Sequence, residues 1–260
     1  MLVTGHERDP DASITTVARG GKAVQRAVSD ALALADLPVI VIPMTLGRAP
    51  GLVADAARAL RWLARGDGAG RVALTDPFGT TSHLTGWLRA KAAVYTDPAT
   101  AILITAPAAG PFEDADLFRV ARLVRQCGHH DLVEVAFDGG NPDLAEGAER
   151  CRRLGAERVV TVPAAFGPSG ADDDNRAIDG GPLLSRSAID GVVTARAKAA
   201  LHRLAHGDDG IAAGLDAECS HGFAHSHEPP DRSHPHGHGP QHGGMHARSG
   251  HGHDQSHQHR

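Results

Sequence analysis

Residues 132–167 read LVEVAFDGGNPDLAEGAERCRRLGAERVVTVPAAFG. An apolar, β-branched run, Leu132–Phe137, stops at Asp138-Gly139-Gly140. A helical pattern then runs from Pro142 to Leu154, with Asn141 expected as its N-cap, Pro142 in its first turn and Gly155 as its stop. A second apolar run follows at Val159–Val162. Strand, helix and strand in this order make a parallel crossover. The pattern extends outward in both directions. Further apolar runs lie at Leu2–Thr4, Val39–Ile42, Val72–Leu74 and Ile102–Thr105. They are continuous rather than alternating, as strands covered on both faces must be. Amphipathic stretches lie between them at about Leu52–Ala64, Asp116–Gln126 and Leu183–Ala205. The expected fold class is therefore α/β, with parallel sheets and helices on both faces.

The chain also echoes itself. LVTGH near the start matches ILITAP at 102–107, and VIVIPMTLG at 39–47 matches VVTVPAAFG at 159–167. The copies are unequal: His6 to Gly47 spans 41 positions and Pro107 to Gly167 spans 60. The expectation is two fused modules, 1–98 and 99–205, with the first short of the strand–helix unit that LVEVAF and its helix supply in the second. The remainder, 206–260, is expected to be a tail. Its composition changes most sharply near residue 220. From His221 to Arg260 there are 12 histidines in 40 residues and only four apolar side chains, Phe223, Ala224, Met245 and Ala247. So little apolar surface cannot offset the entropy of ordering, and the tail is expected to be disordered without metal.

Composition narrows the function. The net charge of −5 with neutral histidine argues against a nucleic-acid partner. No apolar run approaches the length of a membrane span. The opening MLVTGHERDP has neither the basic start nor the apolar core of a secretion signal. Cys127, Cys151 and Cys219 form no CxxC pair. A cytoplasmic protein, monomer or homodimer, is the expectation. No Walker loop, dinucleotide fingerprint or GxSxG elbow is present, so neither a nucleotide nor an acyl-transfer serine is implied.

In parallel α/β sheets, ligands bind beyond the carboxyl ends of the strands. That rule selects His6, Glu7, Arg8 and Asp9 after the first strand, Met44, Thr45, Gly47 and Arg48 after the second, and Asp76, Phe78 and His83 after the third. A neutral imidazole at His6 would take a proton or ligate a divalent metal; the competing reading is a surface-loop histidine. Arg48, in a Gly-Arg-Ala-Pro-Gly loop before a helix, would clamp a carboxylate or else be an exposed arginine without a role. His83, at a helix start in TTSHLTGWL, is either a ligand or base, or a capping and packing residue. His129-His130 reads as structural, past a helix end. The tail carries the densest metal-binding pattern: His221, His225, His227, His234, His236, His238, His242, His246, His251, His253, His257 and His259, interleaved with Gly, Pro and Gln. Cobalt, nickel, zinc and copper favour imidazole, and a pliant chain can wrap several around one ion.

Three stretches carry a family resemblance. LVTGHERDPDA resembles the opening of the CbiX-like sirohydrochlorin cobaltochelatases, in which a strand runs into Gly-His and a polar loop. LVEVAFDGGNPDLAEGAERCRRLGAERVVTVPAAFG is similar to their second half, and DPFGTTSHLTGWLRAKA to the helix that links their halves. The resemblance covers about residues 1–170. It implies two chelatase-like modules forming a cleft, a tetrapyrrole partner rich in carboxylates, and a divalent metal as substrate, cobalt with nickel or iron as alternatives. It further implies metal contact and proton abstraction by His6, carboxylate recognition by Arg8 and Arg48, and His83 as the candidate for a missing partner. The departures are specific. The family's second histidine follows the Pro-ending strand, where this chain reads PMTLGRAPGLV, and the second half has Pro107 and a histidine-free PAAFGPSGA at the two places. Two functions follow as expectations: cobalt insertion into sirohydrochlorin during cobalamin synthesis, or non-enzymatic binding of cobalt, nickel or zinc for storage or delivery on a chelatase-like fold.

Overall fold

The computed structural model describes residues 2–4, 17–167 and 177–217. His6, Arg8 and, of the expected tail, residues 218–260 with the twelve histidines from 221 to 259 lie outside the described residues. The described ones build two four-stranded sheets, all parallel. The first contains β1 (Leu2–Thr4), β2 (Val17–Ala18), β3 (Val39–Pro43) and β4 (Val72–Leu74), in the order β2-β1-β3-β4. The second contains β5 (Thr100–Pro107), β6 (Val133–Asp138), β7 (Arg158–Pro163) and β8 (Ile178–Asp179), in the order β6-β5-β7-β8. The two orders superimpose strand for strand. Thr4 lies opposite Pro43 in one and Thr105 opposite Pro163 in the other, so the echo in the sequence is a repeat of topology and register.

One expectation needs correction. The first half is not short of a strand–helix unit: β2 stands where β6 stands, and α1 (Gly21–Leu34) follows it as α5 (Leu144–Arg153) follows β6. The run Val17–Ala18 is only two residues long and was invisible to a search for apolar runs. What the first half has less of is chain between its first two strands. Positions 5–16 do there what 108–132 do in the second half, where α4 (Pro111–Gln126) is inserted.

Each strand sends alternate side chains to different cores, as a period of two requires. Ile40, Ile42, Ala73, Ile102, Ile104, Val160 and Val162 face a core common to both sheets. Val39, Val41, Val72 and Leu74 face the opposite side of the first sheet, and Ala101, Leu103 and Val159 that of the second. Helices α1, α2 (Pro50–Leu60) and α7 (Ile211–Leu215) cover the first outer face, and α5 the second. The common core is filled by α3 (Thr81–Ala92), α4 and α6 (Arg186–Ala205). Two of these cross over: α3 leaves the first sheet yet packs on α4 and β7, and α6 follows the second sheet yet packs on β3 and β4. Burying one Leu or Val side chain contributes roughly 1.5–3 kcal/mol. The exchange therefore ties each sheet to residues from the other half.

Helix ends differ from the sequence expectation in two places. Helix α5 is capped by Asp143, whose Oδ1 accepts the Glu146 N–H at 2.7 Å, not by Asn141. Pro142 lies in the preceding loop, where its carbonyl accepts the Phe137 N–H at 2.8 Å and so belongs to the strand end. Helix α4 begins at Pro111 rather than near Asp116, because proline fits the first turn and Glu113 and Asp114 suit its positive end. Gly155 ends α5 as expected, with φ of +100°.

Candidate functional site

The carboxyl ends of β3 and β4 turn into loops that carry most of the candidate residues. After Pro43 the chain runs buried through Met44, Thr45 and Leu46. The Thr45 Oγ1 accepts the Gly47 N–H at 3.2 Å and the Ala49 N–H at 3.3 Å, which folds the loop back onto the start of α2. Gly47 has φ of +96°, and a Cβ there would fall 2.2 Å from the Thr81 nitrogen. Only glycine lets this loop lie against the first turn of α3. Thr81 completes the contact by donating its hydroxyl to the Gly47 carbonyl at 3.3 Å.

This packing aims Arg48 across to the second half. Its side chain is only 4% exposed, and Nη2 donates to Asp114 Oδ1 at 3.0 Å. The guanidinium carbon stands 5.9 Å from the centre of the Phe137 ring. The same Asp114 oxygen accepts the Ala109 N–H at 3.1 Å. Asp114 sits in the first turn of α4 and Phe137 near the end of β6. Arg48 thus fastens the loop after β3 to the carboxyl edge of the second sheet. Of the two sequence readings, an exposed arginine without a role does not describe it.

His83 occupies the third position of α3. Its Nδ1 accepts the Thr80 N–H at 3.2 Å and lies 2.9 Å from Thr80 Oγ1, while Thr80 Oγ1 accepts the His83 N–H at 3.4 Å. This is a capping box with histidine in the place of Glu or Gln. The ring also stacks on Trp87, with centroids 5.6 Å apart. An accepting Nδ1 puts the proton of a neutral ring on Nε2, so neither nitrogen is a free ligand in this arrangement. His130 is structural in the same sense: buried, its Nε2 donates to the Ala92 carbonyl at 2.9 Å and joins the end of α3 to the second sheet.

Asp76, just past β4, is held by two arginines of α6. Arg203 Nη1 stands 3.1 Å from Oδ1 and Arg196 Nη1 3.6 Å from Oδ2. Arg203 Nη2 also donates to the Leu74 carbonyl at 3.2 Å, and Arg196 Nη2 to that of Phe78 at 3.4 Å. Both arginines escaped the sequence reading, though their spacing of seven, two helical turns, was the available signal. Asp114 escaped it too, because nothing in one sequence pairs position 48 with position 114.

A cavity of about 370 Å³ opens beyond β3 and β4, lined by Thr45, Gly47, Pro50, Thr75, Asp76, Thr80, Ser82 and Gly210 among others. Its position obeys the strand-end rule. Neither Arg48 nor His83 is in its lining, so this cavity does not bring those two together. Groups of three or more metal-ligating side chains are absent among the described residues. No helix among them is long and apolar enough to cross a membrane.

This parallel α/β fold, with its duplicated sheet and its helices exchanged between the halves, is shared with a solved structure. SirB from Bacillus subtilis, solved with Fe3+, superimposes with a TM-score of 0.53 and 12% identity, over 80% of this chain and 97% of that one. CbiX, described as the terminal enzyme of siroheme biosynthesis in denitrifying bacteria, gives 0.47 at 16% identity over 77% and 98%. In sequence, 54 residues are 39% identical to a sirohydrochlorin cobaltochelatase of Priestia megaterium, covering 20% of this chain and 18% of that protein. No family model matches the chain. The resemblance to CbiX-like chelatases is thus borne out in fold along most of the chain and in sequence along one segment.

Proposed function

We propose that this protein inserts a metal ion into sirohydrochlorin or a closely similar carboxylate-bearing tetrapyrrole. The observation that supports this best is the SirB-like fold over four-fifths of the chain. The sequence that follows β1 reads Gly5-His6. Thr4 lies opposite Pro43, so β1 ends at the same sheet edge as the loop that bears Thr45 and Arg48.

Insertion exchanges one divalent cation for two pyrrole protons. The cation must shed water, the protons need acceptors, and the ring must be held by its carboxylates. His6 supplies metal contact and the first proton acceptor. Glu7 and Asp9 pass protons to solvent or hold that loop. Arg8 binds substrate carboxylate. Arg48, already paired with Asp114, holds the two strand-end edges together and meets a substrate carboxylate only by sharing its guanidinium. His83 joins the chemistry only by giving up its bond to Thr80. The modules 1–98 and 99–205 supply the two sides of the site, and the histidines at 221–259 collect the cation. Cobalt is the favoured substrate, with a role in cobalamin synthesis, since the matching segment belongs to a cobaltochelatase. A cytoplasmic location goes with this role.

The test is the absorption change of sirohydrochlorin with Co2+ and purified protein. The expected result is a rate well above the protein-free control, cut by roughly 100-fold or more in His6→Ala. A rate equal to the control overturns the proposal. The second reading, metal storage or delivery without catalysis, is favoured by one observation: the acceptor nitrogen of His83 and the guanidinium of Arg48 are both engaged within the protein. It predicts Co2+ binding without sirohydrochlorin binding.

A further inference from the structure

Outside the strand-end loops, two histidines meet at the last turn of α6. His202 and His206 are four residues apart, both exposed, and their ring centroids are 4.5 Å apart at 51°. His206 caps the helix, and its Nδ1 lies 2.8 Å from the His202 carbonyl oxygen. A carbonyl only accepts, so Nδ1 carries the proton, and in the neutral ring the lone pair is on Nε2. A ring nitrogen donating to a backbone carbonyl, with the other nitrogen free, is the orientation in which histidine ligates metals.

We propose that His202 and His206 form a two-nitrogen site for a borderline divalent cation of the copper, nickel, cobalt and zinc class. Histidines at positions i and i+4 of a helix present their rings on one face. Two imidazole nitrogens on one ion, each about 2.0–2.1 Å from it, are roughly 3 Å apart. Ring centroids 4.5 Å apart put the two imidazoles within reach of one ion. The negative end of a 20-residue helix favours a cation at this point. The adjacent positive charge is compensated: Arg203 is turned to Asp76 at 3.1 Å and lies 3.9 Å from Asp208 Oδ2. Water fills the remaining coordination positions. The site is independent of the tetrapyrrole chemistry and stands whether or not the chain inserts metal.

Cu2+ alone is the probe. The full chain with its 12 tail histidines changed to asparagine removes the competing tail imidazoles, and His6, His83, His129 and His130 remain as a background common to every variant compared. In that background Cu2+ titration is expected to show a site weakened roughly 100-fold by His202→Ala or by His206→Ala, since each loses the second, intramolecular ligand. In the unaltered chain, saturating Cu2+ is expected to broaden the amide resonances of residues 200–208 beyond detection. Copper affinity unchanged by either substitution overturns the proposal, as does full intensity at 200–208 in the unaltered chain. The second measurement decides the matter if the tail-substituted chain fails to fold.

Discussion

In the first half the chain passes from β1 to β2 in 12 residues, positions 5–16, whereas in the second it takes 25, positions 108–132, and folds α4 on the way. The sheets themselves have the same order and register. Register makes Pro107, two residues past Thr105, the counterpart of His6, two residues past Thr4. A duplicated sheet has thus been used for two purposes. The first copy keeps an imidazole and a run of charged residues beyond its central strand. The second places a helix there, and the first turn of that helix holds Arg48 of the first copy. On this comparison the second half is the brace, and the proposed chemistry falls to the first.

The strongest way to break the brace is at Asp114. Asp114→Ala leaves the 4%-exposed Arg48 without its carboxylate and takes an acceptor from the Ala109 N–H. Removing one partner of a largely buried pair costs about 3 kcal/mol. Denaturant unfolding is expected to show that loss as a lowered midpoint with the slope unchanged. A loss no larger than that of an exposed pair, such as Arg119–Asp116, would mean that the halves are held by their shared apolar core and the Asp76–arginine pairs rather than by Arg48.

The duplication was legible in the sequence because Pro43 and Pro163 close matching β-branched runs and glycine follows each at the same distance. The second strand of the first sheet was not legible: two residues leave no periodicity to detect. The helix exchange was hidden for another reason. Amphipathicity shows that α3 and α6 have an apolar side, but not which sheet receives it. In the candidate site, position past a strand end singled out Arg48, Asp76 and His83. His83 has its partners Thr80 and Trp87 within four residues, but Asp114, Arg196 and Arg203, which pair with Arg48 and Asp76, are 66 to 127 residues away in sequence and became visible only in three dimensions.

His83 separates chemistry from architecture within the first half. As a capping residue it contributes about 0.5–1 kcal/mol, comparable to other cap side chains. His83→Ala is expected to lose that amount, and His83→Gln to recover most of it, since glutamine fits the same capping box. Thermal unfolding of the two variants reads the difference. If metal insertion falls equally in both while only the alanine variant is destabilised, the ring acts on substrate as well as on the helix.

Within the second half, Cys151 and Cys127 report burial without touching the site. Cys151 lies on the buried face of α5, and burial, with the Glu134 carboxylate adding to it, pushes its thiol from 9.0 up to about 12. Cys127 is exposed at the end of α4. Iodoacetamide at neutral pH is expected to modify Cys127 and spare Cys151 in the folded protein, because the thiolate is the nucleophile. Linkage gives the same contrast a pH window. The folded state keeps the Cys151 proton above pH 9, where the unfolded chain releases it, so the unfolded state binds fewer protons and stability falls as pH rises from about 9 towards 12. Below pH 9 both states hold the proton and this thiol contributes no slope. Cys151→Ala should therefore flatten the alkaline limb of a stability–pH curve, at the cost of a small cavity. An alkaline limb identical in this variant and the unaltered protein would show that another group in the fold controls it.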